Sequence, residues 1–220
     1  MQIVKSPFLF IVCFFTSIFF ISTSLHATDL KGQAKTPVNI LDGHELVQAL
    51  RNGGYVIYFR HGKTDLATKD TDRDNLSNCA TQRVLSQEGR EQMTEIGNVI
   101  QKLNINVDNV LSSPYCRAID TAKLAFGKFT INNDLKYTLI ADETTTKKRA
   151  AALKKLLATV PKAGSNTVLT GHNGNLKEAS GIWPYLEGIA IIFKPDGKGS
   201  FSYVATVPPT YWKELLATEK

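Results

Sequence analysis

Histidine and cysteine are scarce in this 220-residue chain, at four and three residues. There is no H-E-x-x-H, no C-x-x-C and no pair of histidines at ligand spacing, so the common protein metal sites are not offered. A G-x-S-x-G elbow is missing, which removes the serine hydrolases that depend on it. No phosphate-binding P-loop is present. Internal repeats, linkers and low-complexity tracts are also lacking, so one domain is the simplest organisation of the remainder.

Long apolar runs are confined to the first residues. "MQIVKSPFLFIVCFFTSIFFISTSLHA" carries one lysine, Lys5, then an apolar stretch from about Phe8 to Ile21, then small and polar residues ending at Ala27. This is the layout of a secretory signal peptide over 1–27, cleaved near Ala27. An uncleaved membrane anchor is the alternative, for which the run is short. The expectation is a periplasmic or secreted protein, with membrane contact only through the signal segment. The full chain has 26 basic and 20 acidic residues, and without Lys5 the count is 25 against 20, a net +5. That excess favours anionic substrates or surfaces. The lysines are scattered, and clusters such as "TKKRAAALKK" read as a solvated helix face, so no nucleic-acid partner is expected. Cys13 leaves with the signal. Cys79 and Cys116 remain, as a disulfide or as two buried thiols.

After a polar lead-in, "ILDGHELVQALRNGG" predicts a helix with Asp42 as its cap, Glu45 completing a capping box and Gly53-Gly54 as its stop. Val56 to Phe59 form a short apolar strand running into Arg60, His61 and Gly62. Residues 62–83 have no period and read as a long loop. A helix is expected over 87–103 behind Ser86, with Met93, Ile96, Ile100 and Leu103 on one face. "NVLSS" reads as a strand at 109–113, followed by a helix capped by Ser113 with Pro114 in its first turn. Another helix is expected from about Thr146 to Val160, with Ala150, Leu153, Leu157 and Val160 on one face and Pro161 ending it. "NTVLTGH" is a strand, "NLKEASG" a short helix, and "GIAIIF" and "SFSYVAT" two strands joined through "KPDGKG". Strands alternating with helices predict an α/β fold: three layers, a mostly parallel central sheet and helices on both faces.

Ligands of open parallel sheets bind beyond the carboxyl ends of the strands. Three such ends carry chemistry here: Arg60-His61, Ser112-Ser113 through Arg117, and His172. Arg60 and Arg117 can hold a phosphate by bidentate hydrogen bonds, and Arg117 falls in the first turn of its helix, where backbone N–H groups favour an anion. His44, near a helix start, is given no role.

"FRHGKT", "SSPYCRAIDTA" and "LTGHNGNL", in this order and spacing, resemble the histidine phosphatase superfamily, with the phosphoglycerate mutase-like fold, and within it the first branch. The resemblance covers about 52–205. It implies a phosphomonoester hydrolase without metal or other cofactor, working through a phosphohistidine on His61. Arg60, Arg117 and His172 complete the phosphate pocket, and Thr64 touches the phosphate. First-branch members carry a glutamate as general acid; the corresponding "TLIADETT" offers Asp142 first and Glu143 second, and Glu187 in "YLEGIAI" is a third candidate. Asp65 is a further acid near His61. The second-branch His-Asp pair is absent, because Asn173 follows His172. The implied partner is a small phosphorylated substrate, and a likeness to envelope enzymes around "CATQRVLSQEGR" makes an envelope phospho-sugar a candidate. A phosphomutase or phosphohistidine phosphatase is a second reading, and a catalytically idle binder of phosphate or anionic glycolipids a third.

Overall fold

At the centre of the protein lies the strand β1 (Val56–Arg60), whose residues Val56 to Phe59 are fully buried. The computed structural model describes residues 37–219, all within one compact unit spanning Ala34–Lys220. The expected signal peptide and its cleavage site lie outside the described residues. None of the described helices is long and apolar enough to cross a membrane.

Six strands form one sheet in the order β3-β2-β4-β1-β5-β6, with β2 at Val107–Ser112, β3 at Thr130–Ile131, β4 at Asn166–Gly171, β5 at Ala190–Pro195 and β6 at Phe201–Val207. β1 pairs in parallel with β4, β4 with β2, and β2 with β3. β5 runs antiparallel to both β1 and β6. The sheet is therefore mixed, with β5 running against the other five strands, and mostly parallel as the sequence predicts. The turn through "KPDGKG", closed by the Asp196 N–H to Ser200 carbonyl bond of 3.0 Å, forces the last two strands into a hairpin.

Side chains alternate across β1 and feed two cores. Ile57 and Phe59 join the cluster built by α1 (Gly43–Asn52), α2 (Gln87–Lys102) and α3 (Cys116–Phe126), to which α6 (Tyr211–Ala217) adds Trp212 and Leu215. Val56 and Tyr58 face the opposite cluster, with Leu153 and Leu157 of α4 (Glu143–Ala158) and Leu176 and Ala179 of α5 (Asn173–Ser180). Helices thus cover both faces of the sheet.

Several element ends differ from expectation, each for a local reason. Asp42 precedes α1, but its side chain makes no capping bond and no box forms with Glu45; Gly43 enters the helix at φ +46°. α2 is capped as expected, the Ser86 hydroxyl accepting from the Gly89 N–H at 3.0 Å. β2 starts at Val107, and α3 starts only at Cys116. Ser113 does not cap α3, because its hydroxyl is engaged by His172. α4 begins three residues early: the Asp142 carboxylate caps it by accepting the Thr145 N–H at 2.8 Å, and Glu143 suits the helix N-terminus. It ends at Ala158, so Val160 lies outside it and is exposed; a residue before proline is disfavoured in helical geometry. α6 has no counterpart in the sequence reading.

The long loop 62–83 is fastened rather than loose. Cys79 and Cys116 are joined, across 37 positions of sequence. Gln82 Oε1 accepts the Cys116 N–H at 3.0 Å while its Nε2 donates to the Leu76 carbonyl at 3.0 Å. Replacing both cysteines with serine is expected to lower stability by about 2–4 kcal/mol, since the bond limits the unfolded chain. Thermal denaturation of the variant beside the oxidised wild type checks this, and equal midpoints would contradict it.

Candidate active site

β1 and β4 are parallel neighbours, so their C-terminal ends deliver His61 and His172 side by side. The ring centroids are 5.4 Å apart, and both side chains are almost fully buried. His61 Nδ1 lies 3.0 Å from the Gly62 carbonyl oxygen. A carbonyl can only accept, so Nδ1 carries the proton and the lone pair of the neutral ring sits on Nε2. His172 Nε2 lies 2.9 Å from the Ser113 hydroxyl. Ser113 Oγ also receives the Tyr115 N–H, at 3.4 Å, and His172 Nε2 is the acceptor that its own proton faces among the described residues. The proton of His172 then belongs on Nδ1, a buried atom with no partner among the described residues.

The backbone around both histidines is held by buried hydroxyls. Tyr58 donates to the His172 carbonyl and accepts the His172 N–H, each at 2.8 Å. A Cβ on Gly171 would sit 2.3 Å from that hydroxyl, so glycine is needed for the close approach. Thr121 accepts the Gly62 N–H at 2.9 Å and donates to the Arg117 carbonyl at 2.7 Å, tying the His61 turn to α3. Gly62 itself needs no left-handed backbone; a Cβ there would lie 2.7 Å from Met93 Cγ, so a larger residue would displace the Met93 side chain.

Three guanidiniums surround the imidazoles. Arg60 continues β1 and is held by the Pro184 carbonyl at 3.1 Å, the Tyr185 carbonyl and Glu187 Oε1 at 3.2 Å. Arg117 is buried in the first turn of α3, over the Tyr115 ring at 4.5 Å, and its Nη1 donates to Asp70 Oδ1 at 3.0 Å. Arg83, which sequence reasoning missed, joins them from the long loop, 3.9 Å from Glu187 Oε1. Nε of Arg60, Arg83 and Arg117, like Nδ1 of His172, is buried without a hydrogen-bond partner among the described residues. Buried donors are nearly always satisfied, so four of them grouped in this way mark a place built for an acceptor-rich anion.

The same surroundings keep both rings neutral. Burial lowers the His61 and His172 pKa values well below the ordinary 6.5, and the Arg117 charge lowers them further. Burial also lowers Arg60 and Arg117, while Glu187 and Asp70 pull them back up.

Among the expected acids, Glu187 is the one drawn into this cluster. Its Oε1 lies 3.9 Å from His61 Nδ1, and its carboxylate accepts the Thr64 N–H at 2.9 Å and the Thr64 hydroxyl at 3.0 Å. Thr64 is thus tied to Glu187. Asp142 is spent on the α4 cap, and Glu143 pairs in solvent with Lys147 at 2.5 Å. Asp65 closes a local turn by accepting the Ala67 N–H at 2.9 Å. His44 contacts Glu219 Oε1 at 2.6 Å, apart from the cluster. No group of three or more His, Cys, Asp or Glu side chains among the described residues is arranged to hold a metal ion. Volume alone does not locate the site: a hollow of about 660 Å3 lies between α2 and α6, lined by Arg90, Glu95 and Lys213, and none of its lining residues belongs to the cluster.

Residues 56–140 match the family model of the histidine phosphatase superfamily (branch 1), and the architecture is the phosphoglycerate mutase-like α/β fold. The structure of the protein histidine phosphatase SixA complexed with tungstate aligns with a TM-score of 0.51 at 18% identity, over 71% of this chain and 97% of its own. The phosphoserine phosphatase of Entamoeba histolytica, in complex with 3-phosphoglyceric acid, gives 0.50 at 16% identity, over 69% and 95%. A mycobacterial glucosyl-3-phosphoglycerate phosphatase gives 0.50 at 16%, over 68% and 96%. No curated protein matches the sequence. His172 and Glu187 lie beyond the matched segment and reach the pocket through the fold.

Proposed function

We propose that this member of the histidine phosphatase superfamily is a metal-independent phosphomonoester hydrolase acting through a phosphohistidine on His61. One observation carries the reading. A neutral imidazole with its lone pair on Nε2 stands beside four buried donors that have no acceptor among the described residues. Nε2 attacks phosphorus, the P–N bond forms, and the ester P–O bond breaks. Arg60, Arg83, Arg117 and the His172 Nδ1–H take up the charge on the phosphoryl oxygens, the main contribution in phosphoryl transfer. Thr64 acts here through Glu187, by fixing the carboxylate. In its protonated state Glu187 gives that proton to the departing alkoxide, which leaves the carboxylate. In the second step it accepts a proton from the water that displaces phosphate from His61.

The layout of residues 1–27 supports a periplasmic or secreted location, with small phosphorylated molecules, an envelope phospho-sugar among them, as substrates.

The test is phosphate release from an aryl phosphate by the full mature chain with EDTA present. Turnover is expected to persist undiminished; loss of turnover on chelation, restored by a divalent metal, would overturn the metal-independent reading. The role of Glu187 has its own signature. Glu187→Gln is expected to lower kcat on alkyl phosphates by about 10²-fold. Aryl phosphates, whose leaving groups need little protonation, should lose less. Glu143→Gln should leave kcat at the wild-type value. Equal losses on both substrate types would remove the acid role.

A further inference from the structure

Next to the imidazole pair lies a second hollow for which the transfer chemistry has no use. Its volume is about 490 Å3, and its lining includes Tyr115 and Tyr137, whose rings pack against His172. Both tyrosine ring centroids stand 5.1 Å from that of His172, and 6.5 Å from each other. The rest of the wall carries Arg73, Lys136 and Arg149. An adjoining hollow of about 400 Å3 shares Arg73 and Tyr137 and adds Lys69 and Arg83.

Arg149 is set in place from α4, its Nη1 donating to the Tyr137 carbonyl at 2.9 Å. Among the described residues, neither it nor Arg73, Lys136 or Lys69 pairs with a carboxylate. The acids bordering the first hollow are Asp74 and Asp142, and Asp142 is committed to the Thr145 N–H and hydroxyl. The acid bordering the second is Asp70, committed to Arg117. Burial pushes the Tyr115 hydroxyl up; Arg117 pulls it back, Asp70 raises it, and Arg73 and Arg149 lower it, so charges of both signs lie around this ring. Three cations against two carboxylates leave the lining of the first hollow one positive charge in excess, which an anion set among Arg73, Lys136 and Arg149 offsets.

We propose that this hollow binds a second anionic group, a phosphate or a carboxylate, carried on the alcohol part of the substrate. Arg149, Arg73 and Lys136 are its ligands, and Tyr115 and Tyr137 line the passage between the two anions. The substrate class is thus a phosphomonoester with a further negative charge, rather than a neutral alcohol phosphate. This rests on the hydrolase reading above.

Two ligand pairs test it: glycerol 3-phosphate against 3-phosphoglycerate, and fructose 6-phosphate against fructose 1,6-bisphosphate. The wild type should favour the doubly anionic member of at least one pair by about tenfold or more in kcat/KM, the worth of one charge-assisted contact. In Arg149→Gln/Arg73→Gln that ratio should fall towards one; Lys136→Ala, which leaves the Arg149 to Tyr137 bond in place, should lower it in the same direction. Calorimetric titration of the same ligands into His61→Ala protein asks the question without turnover and should show the same order of affinity. Equal affinities for both members of each pair, or a preference that survives all three substitutions, overturns the proposal. Aryl phosphate hydrolysis by the wild type reports separately on the hydrolase reading, so either can fail without the other.

Discussion

His61→Ala is expected to lower phosphate release by about 10⁴-fold or more, because it removes the atom that bonds to phosphorus rather than a group that assists it. The fold should tolerate the change. The β1 apolar residues stay buried, and the His61 main chain keeps its N–H bond to the Gly171 carbonyl at 3.0 Å and its carbonyl bond from Gly188 at 2.8 Å. Steady-state rates on an aryl phosphate give the measurement, and a loss below tenfold would be incompatible with the assignment. The variant has a second signature in its acid stability. Both site histidines fold with pKa values well below 6.5, chiefly through burial. From pH 6.5 down to those lower values the unfolded chain binds more protons than the folded one. Stability present above pH 6.5 is therefore lost as pH falls through that window. Removing His61 should make the loss shallower, as chemical denaturation at several pH values would show.

Arg117→Ala is expected to cost about 10²–10³-fold in kcat/KM, the range for removing one donor to charge that develops in the transition state. Arg117 is 1% exposed, so water cannot replace its hydrogen bonds. The change also strips Asp70 of its partner at 3.0 Å and leaves a carboxylate beside the incoming phosphate. Arg117→Lys should rescue little, since an ammonium cannot reproduce the planar fork of donors or its stacking over Tyr115 at 4.5 Å. Inhibition by inorganic phosphate should weaken in parallel. Unchanged phosphate inhibition in Arg117→Ala would place the anion elsewhere.

The residues legible in the sequence are those fixed by strand ends. Apolar β1 and β4 each run into a histidine, and short strands leave little freedom in where their last residues point. The arginine of α3 was legible for the same reason, although the cap of that helix was not, because Ser113 is used by His172 instead. Arg83 and Asp70 were illegible. They sit in a loop without period, and what brings them to Arg117 is Gln82, the Cys79–Cys116 bond and a folded-back backbone, none of which leaves a repeating pattern. Glu187 illustrates how strand direction decides a role. In a parallel sheet the start of β5 would lie at the far end from His61. Because β5 runs antiparallel to β1, with Ala190 opposite Phe59, its first residues lie beside the imidazoles. Asp142 shows the converse: a carboxylate ahead of "ETT" suits an acid or a helix cap equally in sequence, and the structure uses it as the cap.

The most direct test is rapid-quench labelling with a ³²P-phosphomonoester, followed by peptide mapping of the trapped protein. One acid-labile, base-stable phosphate per chain on the peptide containing His61, absent from His61→Ala, is the expected result. Turnover of the substrate with no such label, or an acid-stable label on another residue, would contradict it.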